Sequence, residues 1–314
     1  EDDQRPPIDL SRPVRVALEQ ALEAVRPLRD GTVATYIPEL AKADPAGLGV
    51  ALVSVRGSIH EVGDTDVPFT IQSVSKPYVY ALALADRGQD AVLEKVGVEP
   101  TGDPFNSISL DDRSSRAFNP MVNAGAIVTS TLVHGQTRAE QFERIHAGLS
   151  AFAGHELAID EDVFHSERTT GDRNRAIAYL MRSAGLLDED VDDQVEAYFR
   201  QCAVLVTARD LAVMAATLAN SGLNPVTGEQ VVPRDVVASV LTVMATCGMY
   251  DGSGEFAVSV GIPAKSGVGG GIAAAVPGRM GIGTCGPALD RKGNSVAGLA
   301  MLRRLSEELK LRIY

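Results

Sequence analysis

The sequence predicts a mixed α/β (α+β) fold: a mainly antiparallel sheet built from N- and C-terminal strands, flanked by helices, with a helical subdomain inserted between them. Three observations predict it. Residues 49–62 read as a β-hairpin, the apolar pattern turns helical from Val79 and stays so through most of the middle, and short glycine-rich apolar runs return after Gly252. Strands from both ends most simply close one sheet around a core, with the middle as an insertion. At 314 residues and 45% hydrophobic composition the chain can bury a sizeable core. It reads as a single domain over 1–314, with a sheet subdomain from 11–72 and 253–314 and a helical subdomain from 73–252.

Each element has a local reason. Residues 1–10 read as a lead-in, and Ser11-Arg12-Pro13 opens a helix with proline near its first position. Val14, Leu18, Ala21, Leu22, Val25 and Leu28 share one face of it, and Gly31 stops it. The hairpin pairs 50–55 with 59–62 across Arg56-Gly57-Ser58, and 69–71 is a further β-prone run. Pro77 lacks an N–H and fits only near a helix start, which sets that start close to Ser73. Residues 99–119 form a long polar connection, a candidate lid or partner-contacting loop.

A small-residue helix follows Asn123, and further helices are expected near 138–152, 172–185, 190–202, 208–220 and 233–246. Thr137-Arg138-Ala139-Glu140 reads as a capping box and Thr207-Ala208-Arg209-Asp210 as another helix start. Strands are expected at 257–260, 272–276, 280–284 and 294–301, then a closing amphipathic helix over 303–313.

Composition excludes several classes of function. A net charge of −12 argues against a nucleic-acid surface, since phosphate contacts need lysine and arginine. No apolar stretch approaches the length of a membrane span. Cys202, Cys247 and Cys285 form no CxxC pair and read as buried small hydrophobes; the five histidines show no metal-ligand spacing, so no metal is expected. The polar, acidic Glu1-Asp2-Asp3 is unlike a signal peptide, and a cytoplasmic protein is expected.

The chemistry centres on Ile71-Gln72-Ser73-Val74-Ser75-Lys76. A helix begun there puts Ser73 and Lys76 on one face, one turn apart. A lysine made neutral by burial could deprotonate the serine, giving a nucleophile with its own general base. Lys265-Ser266-Gly267 closes a predicted strand and precedes Val268-Gly269-Gly270-Gly271, a small run that lets backbone approach a ligand. Ser-x-x-Lys at a helix start with Lys-[Ser/Thr]-Gly on a late strand is the pairing of serine β-lactamases and penicillin-binding proteins. A β-lactamase-like fold is therefore expected, with backbone N–H groups of Ser73 and of a residue beside that strand as oxyanion donors. A Ser-Asp-Asn motif is absent, which counts against β-lactam chemistry.

Five longer motifs carry a resemblance: Gln72-Ser73-Val74-Ser75-Lys76; Asn119-Pro120-Met121-Val122-Asn123-Ala124-Gly125-Ala126; Ser166-Glu167-Arg168 with Gly171-Asp172-Arg173-Asn174; Cys247-Gly248-Met249-Tyr250-Asp251; and Pro263-Ala264-Lys265-Ser266-Gly267-Val268. In these the chain resembles the serine-dependent glutaminases, over about 36–301. The resemblance implies hydrolysis of L-glutamine to L-glutamate and ammonia without metal or organic cofactor, by a homodimer or homotetramer. It implies Ser73 as nucleophile, Lys76 as base, and Tyr250 as proton donor to the departing ammonia. Glu167 would hold the substrate α-ammonium, with Asn123, Asn174, Tyr36 and Tyr198 lining the pocket and the Val268 backbone as second oxyanion donor. Asp172-Arg173 is expected to be a structural pair supporting Asn174. A penicillin-recognising hydrolase and a non-catalytic scaffold of the same fold are the alternatives; a scaffold would need none of Ser73, Lys76, Tyr250 and Glu167.

Overall fold

A computed structural model describes residues 14–28, 30–111 and 116–314. The predicted lead-in and the Ser11-Arg12-Pro13 helix start lie outside the described residues. Helix α1 (Val14–Val25) buries Ala17, Leu18, Ala21, Leu22 and Val25, while Leu28 lies beyond its end and is exposed. Strands β1 (Gly49–Ser54) and β2 (Ile59–Gly63) form the expected hairpin, and short β3 (Phe69–Thr70) follows. A 3₁₀ turn over Gln72–Ser75 leads into α2 (Lys76–Arg87), which is buried from Lys76 to Leu84 on every side, as a central core helix must be. The α-helix proper therefore starts at Lys76, with Ser73 in the turn before it.

Next come α3 (Gln89–Lys95), α4 (Asn123–Leu132), α5 (Arg138–Ala153), α6 (Glu161–Thr170), α7 (Asp172–Ser183) and α8 (Val191–Cys202). Helix α6 is absent from the sequence reading. Its signals are present: Asp160 Oδ1 caps the Val163 N–H, and Glu161 and Asp162 sit in the first turn. Strand β4 (Leu205–Val206) pairs with β3, and α9 (Ala208–Ala219) and α10 (Arg234–Cys247) follow. The two capping expectations exchange places. Thr207 and Asp210 make both reciprocal bonds, whereas Thr137 caps Glu140 but the Glu140 carboxylate takes the Gln136 N–H instead.

Two expected strands are helical. Residues 257–259 fall in α11 (Ser253–Ser259) and Val260 caps it; Phe256 and Val260 are buried and Val258 is 74% exposed, a four-residue rather than two-residue repeat. After β5 (Ala264–Ser266), β6 (Gly271–Val276) and β7 (Met280–Cys285), residues 296–301 open α12 (Val296–Leu309). Ser295 Oγ caps the Gly298 N–H, and Ala297, Met301, Leu302 and Leu305 form the buried stripe. β-Branched and small residues misled the periodicity in both places.

The sheet runs β2-β1-β7-β6-β5, antiparallel throughout, so strands from both ends meet at the β1–β7 pair. This is the mixed α/β, β-lactamase-like class the sequence predicts. Side chains alternate across it. Val50, Leu52, Ile272, Ala274 and Ile282 pack on α1 and α12, while Ala51 and Val53 face α9. Gly281 and Gly283 bring β7 onto the backbone of α9. A Cβ at Gly281 would stand 2.1 Å from the Ala216 nitrogen, and one at Gly283 would stand 2.1 Å from the Ala208 oxygen. Neither backbone can yield without parting helix from sheet. Gly283→Val is expected to destabilise the protein by about 3 kcal/mol or more, the upper end for overpacking, as a lower urea midpoint; an unchanged midpoint would refute this contact.

Candidate active site

The 3₁₀ turn bearing Ser73 packs between α2, α8 and β5, where the sheet edge meets the helical elements. A cavity opens there, lined by Ser73, Tyr36, Asn123, Glu167, Asn174, Tyr198 and Val268 among others. Seven of the nine residues expected at the site thus share one cavity although they span 36–268 in sequence. The other two, Lys76 and Tyr250, are buried and do not line it directly.

Lys76 stands at the first position of α2 with its Nζ donating to the Met121 carbonyl (3.1 Å) and to Asn123 Oδ1 (2.7 Å). The Phe105 ring lies 5.9 Å from it. Burial lowers its pKa to about 7, because the charged form loses its hydration and no carboxylate among the described residues pairs with it. A neutral amine has two N–H groups and one lone pair. Both N–H groups are spent on the two oxygens, which leaves the lone pair for a proton from the serine one turn back. Asn123 in turn donates to Asn174 Oδ1 (2.9 Å), so the two asparagines orient one another.

Tyr250 occupies a left-handed backbone position, φ +57°, at the start of a 3₁₀ turn whose carbonyl accepts Ser253 Oγ–H (2.8 Å). Such strain in a non-glycine residue gathers at functional sites. Its ring sits 4.6 Å from Phe105 and 4.3 Å above Lys265 Nζ. Burial raises the phenol's pKa and the neighbouring Ser73 hydroxyl offsets part of the rise, yet the phenol oxygen completes no hydrogen bond among the described residues. The phenol is therefore protonated and has an unspent donor beside the serine.

Lys265 is fully buried and donates to the Ser266 carbonyl (2.6 Å); burial and then Lys76 push its pKa well below the lysine range. The glycines beyond it act differently from the expectation. A Cβ at Gly267 would stand 2.9 Å from the Ile71 oxygen, and one at Gly269 would stand 2.4 Å from the Thr70 oxygen. These glycines seat the β5–β6 turn against the backbone leading to Ser73, and only the Val268 between them faces the cavity. Val268 has no backbone acceptor for its N–H among the described residues.

Glu167, near the end of α6, is 4% exposed and accepts one hydrogen bond, from Gln72 Nε2 (2.9 Å). Burial raises its pKa to about 8 against the smaller lowering by Gln72. A carboxyl so placed has no cation partner among the described residues and can supply one side of a buried ion pair to a ligand ammonium. Tyr36 leaves 57% of its surface exposed, but its hydroxyl reaches the crowded end of the pocket, where burial first and then Tyr250 and Glu167 raise its pKa well above the tyrosine range. Tyr198, on α8, donates weakly to Asn123 Oδ1 (3.5 Å).

The predicted Asp172–Arg173 pair does not form. Arg173 Nε donates to the Asn106 carbonyl (2.7 Å) and Asp172 reaches Arg175 instead (3.8 Å), so Arg173 ties α7 to the 99–119 connection. That connection supplies Phe105 and Asn106 to the lining, which no periodic signal announces. Cys202 also lines the cavity, one turn after Tyr198 on the same face of α8; that four-residue spacing was the legible sign of it. Gly171 joins α6 to α7, and its Cβ would strike the Phe199 ring at 2.2 Å. Glycine lets α6 pass into α7 against that ring, so Glu167 and Asn174 line one cavity from successive helices.

The family model for Glutaminase matches residues 31–314. The chain is 55% identical over 283 residues to Glutaminase 1 of Bradyrhizobium diazoefficiens, covering 90% of this chain and 46% of that protein. It is 50% identical over 302 residues to a glutaminase of Trichormus variabilis, covering 96% and 90% respectively. The chain thus spans about half the length of the first relative and most of the second. Among solved structures it is similar to Mglu in its glutamate form, with TM-score 0.92 and 45% identity, covering 96% of this chain and 70% of that one.

Proposed function

Because the chain belongs to the glutaminase family, whose reaction is the hydrolysis of L-glutamine to L-glutamate and ammonia, we propose that it carries out this reaction through a γ-glutamyl ester on Ser73. The observation that carries the reading is Lys76: a buried amine held by two oxygen acceptors, its pKa lowered to about 7, three residues from a serine hydroxyl.

Glu167 receives the substrate α-ammonium, and Asn123, Asn174, Tyr36 and Tyr198 surround the rest of the amino acid. Neutral Lys76 takes the Ser73 proton as Oγ bonds to the side-chain amide carbon. Negative charge moves to the amide oxygen, where the Ser73 and Val268 N–H groups stabilise it. The tetrahedral adduct collapses, the carbon–nitrogen bond breaks, and the proton held by Lys76 reaches the leaving nitrogen through the Tyr250 hydroxyl, releasing ammonia. Water then attacks the ester carbon and gives its proton back along the same route. Ser73 leaves as the alcohol, and L-glutamate is released.

Incubation with 6-diazo-5-oxo-L-norleucine, a glutamine mimic with an electrophilic carbon at the amide position, tests this directly. Peptide mass spectrometry is expected to find one adduct, on Ser73, that excess L-glutamate suppresses. An adduct confined to another residue, or none with active enzyme, would overturn the assignment.

A further inference from the structure

Gln72, the residue before Ser73, is one of four non-glycine residues with positive φ, at +49°, among the described residues. A long side chain disfavours this left-handed conformation, so something must hold it. Its main chain is held from one direction: Ser75 Oγ–H donates to the Gln72 carbonyl (2.8 Å), and Gln201 Nε2 donates to Ser75 Oγ (2.9 Å). Its side chain is held from another, with Nε2 donating to Thr70 Oγ1 (3.2 Å) and Glu167 Oε1 (2.9 Å). Gln72, Ser75 and Gln201 are 3%, 0% and 1% exposed.

Gln201 is a poor choice for stability. Its Oε1 is buried with no hydrogen-bond partner, so half of its amide is desolvated without return. A leucine would fill a core position without that penalty. What the amide does provide is one bond, to the hydroxyl that grips the kinked turn. The residue lies on α8 between Tyr198 and Cys202, which both line the cavity, so this helix fixes the pocket wall and the serine turn together.

We propose that Ser75 and Gln201 are positioning residues for the reaction: Gln201, through Ser75 Oγ, holds the Gln72 carbonyl so that the left-handed kink persists and presents both the Ser73 hydroxyl and the Ser73 N–H to the cavity. Without that grip Gln72 relaxes toward ordinary φ, and the peptide joining it to Ser73 rotates. The oxyanion donor turns away with it, while Glu167, carried by α6, keeps its place in the pocket wall even where its bond from Gln72 shifts. The effect therefore falls on the chemical step more than on binding. The inference rests on Ser73 being the nucleophile.

The test compares wild type, Ser75→Ala, Gln201→Leu and the double variant. It measures kcat and KM for ammonia release, the rate of Ser73 labelling by 6-diazo-5-oxo-L-norleucine, and Tm. Each single variant is expected to lower kcat and the labelling rate together by about 10- to 30-fold with KM within about 3-fold, since a displacement near 1 Å can cost on the order of 10²-fold. The double variant is expected to lose no more than the worse single one, because both act through one hydroxyl. Gln201→Met, which keeps core volume, carries the test if Ser75→Ala does not fold. A folded variant that labels at the wild-type rate, or losses that multiply in the double variant, would overturn the proposal. Absence of a Ser73 adduct in wild type would instead overturn the nucleophile assignment beneath it.

Discussion

Ser73→Ala and Lys76→Met are each expected to lower kcat for ammonia release by about 10⁴-fold or more, and the double variant to lose no more than the worse single one. Nucleophile and base act as a unit, so removing either removes the step both perform. Methionine preserves the length and apolar stem of Lys76 but has no lone pair basic enough to take the serine proton. The wild-type pH profile should carry the same signature. With the Lys76 pKa near 7 in the empty pocket, the amine is protonated below that value and the base is lost, so kcat/KM rises with pH through about 7. The stability sign follows independently. Between about 7 and the unfolded value near 10.4 the unfolded chain holds a proton that the native protein does not, so this group's contribution rises with pH across that window. Lys76→Met should flatten both dependences. More than a tenth of wild-type kcat in either folded single variant would end the serine–lysine mechanism.

The sequence made the sheet legible for a physical reason: the β1–β2 hairpin and the β6–β7 pair are local, with turn chemistry between alternating or continuous apolar runs. Their meeting at β1–β7 is non-local and followed only from the requirement that edge strands find partners. Ser73 and Lys76 were legible because one helical turn relates them. Glu167 and Asn174 came from motif resemblance alone, since blind reading would make them a surface ion pair and a cap. What stayed hidden was contact made across the fold. Phe105 and Asn106 reach the cavity from an aperiodic connection, and nothing local says that Gly267 and Gly269 face backbone rather than ligand. Nothing in the 190–202 stretch marks Gln201; its place beneath the serine turn appears only when α8 packs there.

The buried carboxyl of the pocket makes a separate prediction. Glu167→Gln is expected to raise KM for glutamine by on the order of 10²- to 10³-fold and to change kcat far less, since removing one partner of a buried charged pair costs about 2–5 kcal/mol. In the empty pocket the Glu167 pKa of about 8 makes the carboxyl neutral at pH 7, and glutamine matches it in shape while still accepting from Gln72. The substitution should therefore leave Tm at pH 7 unchanged, which separates lost binding from lost fold. Between the unfolded value near 4.3 and about 8 the native protein holds a proton here that the unfolded chain lacks, so wild-type stability from this group falls as pH rises through that window, and the variant lacks that fall. Binding reverses the balance. An arriving α-ammonium favours the carboxylate, so at pH 7 the wild type must release a proton from Glu167 as it binds L-glutamate. Calorimetric titration in two buffers of different ionisation enthalpy reads that proton directly. Wild type is expected to release a substantial fraction of one proton, and Glu167→Gln to lose that release along with its affinity. Equal release in both proteins, or an unchanged KM in the variant, would remove Glu167 from the ammonium site and leave its burial without a purpose in binding.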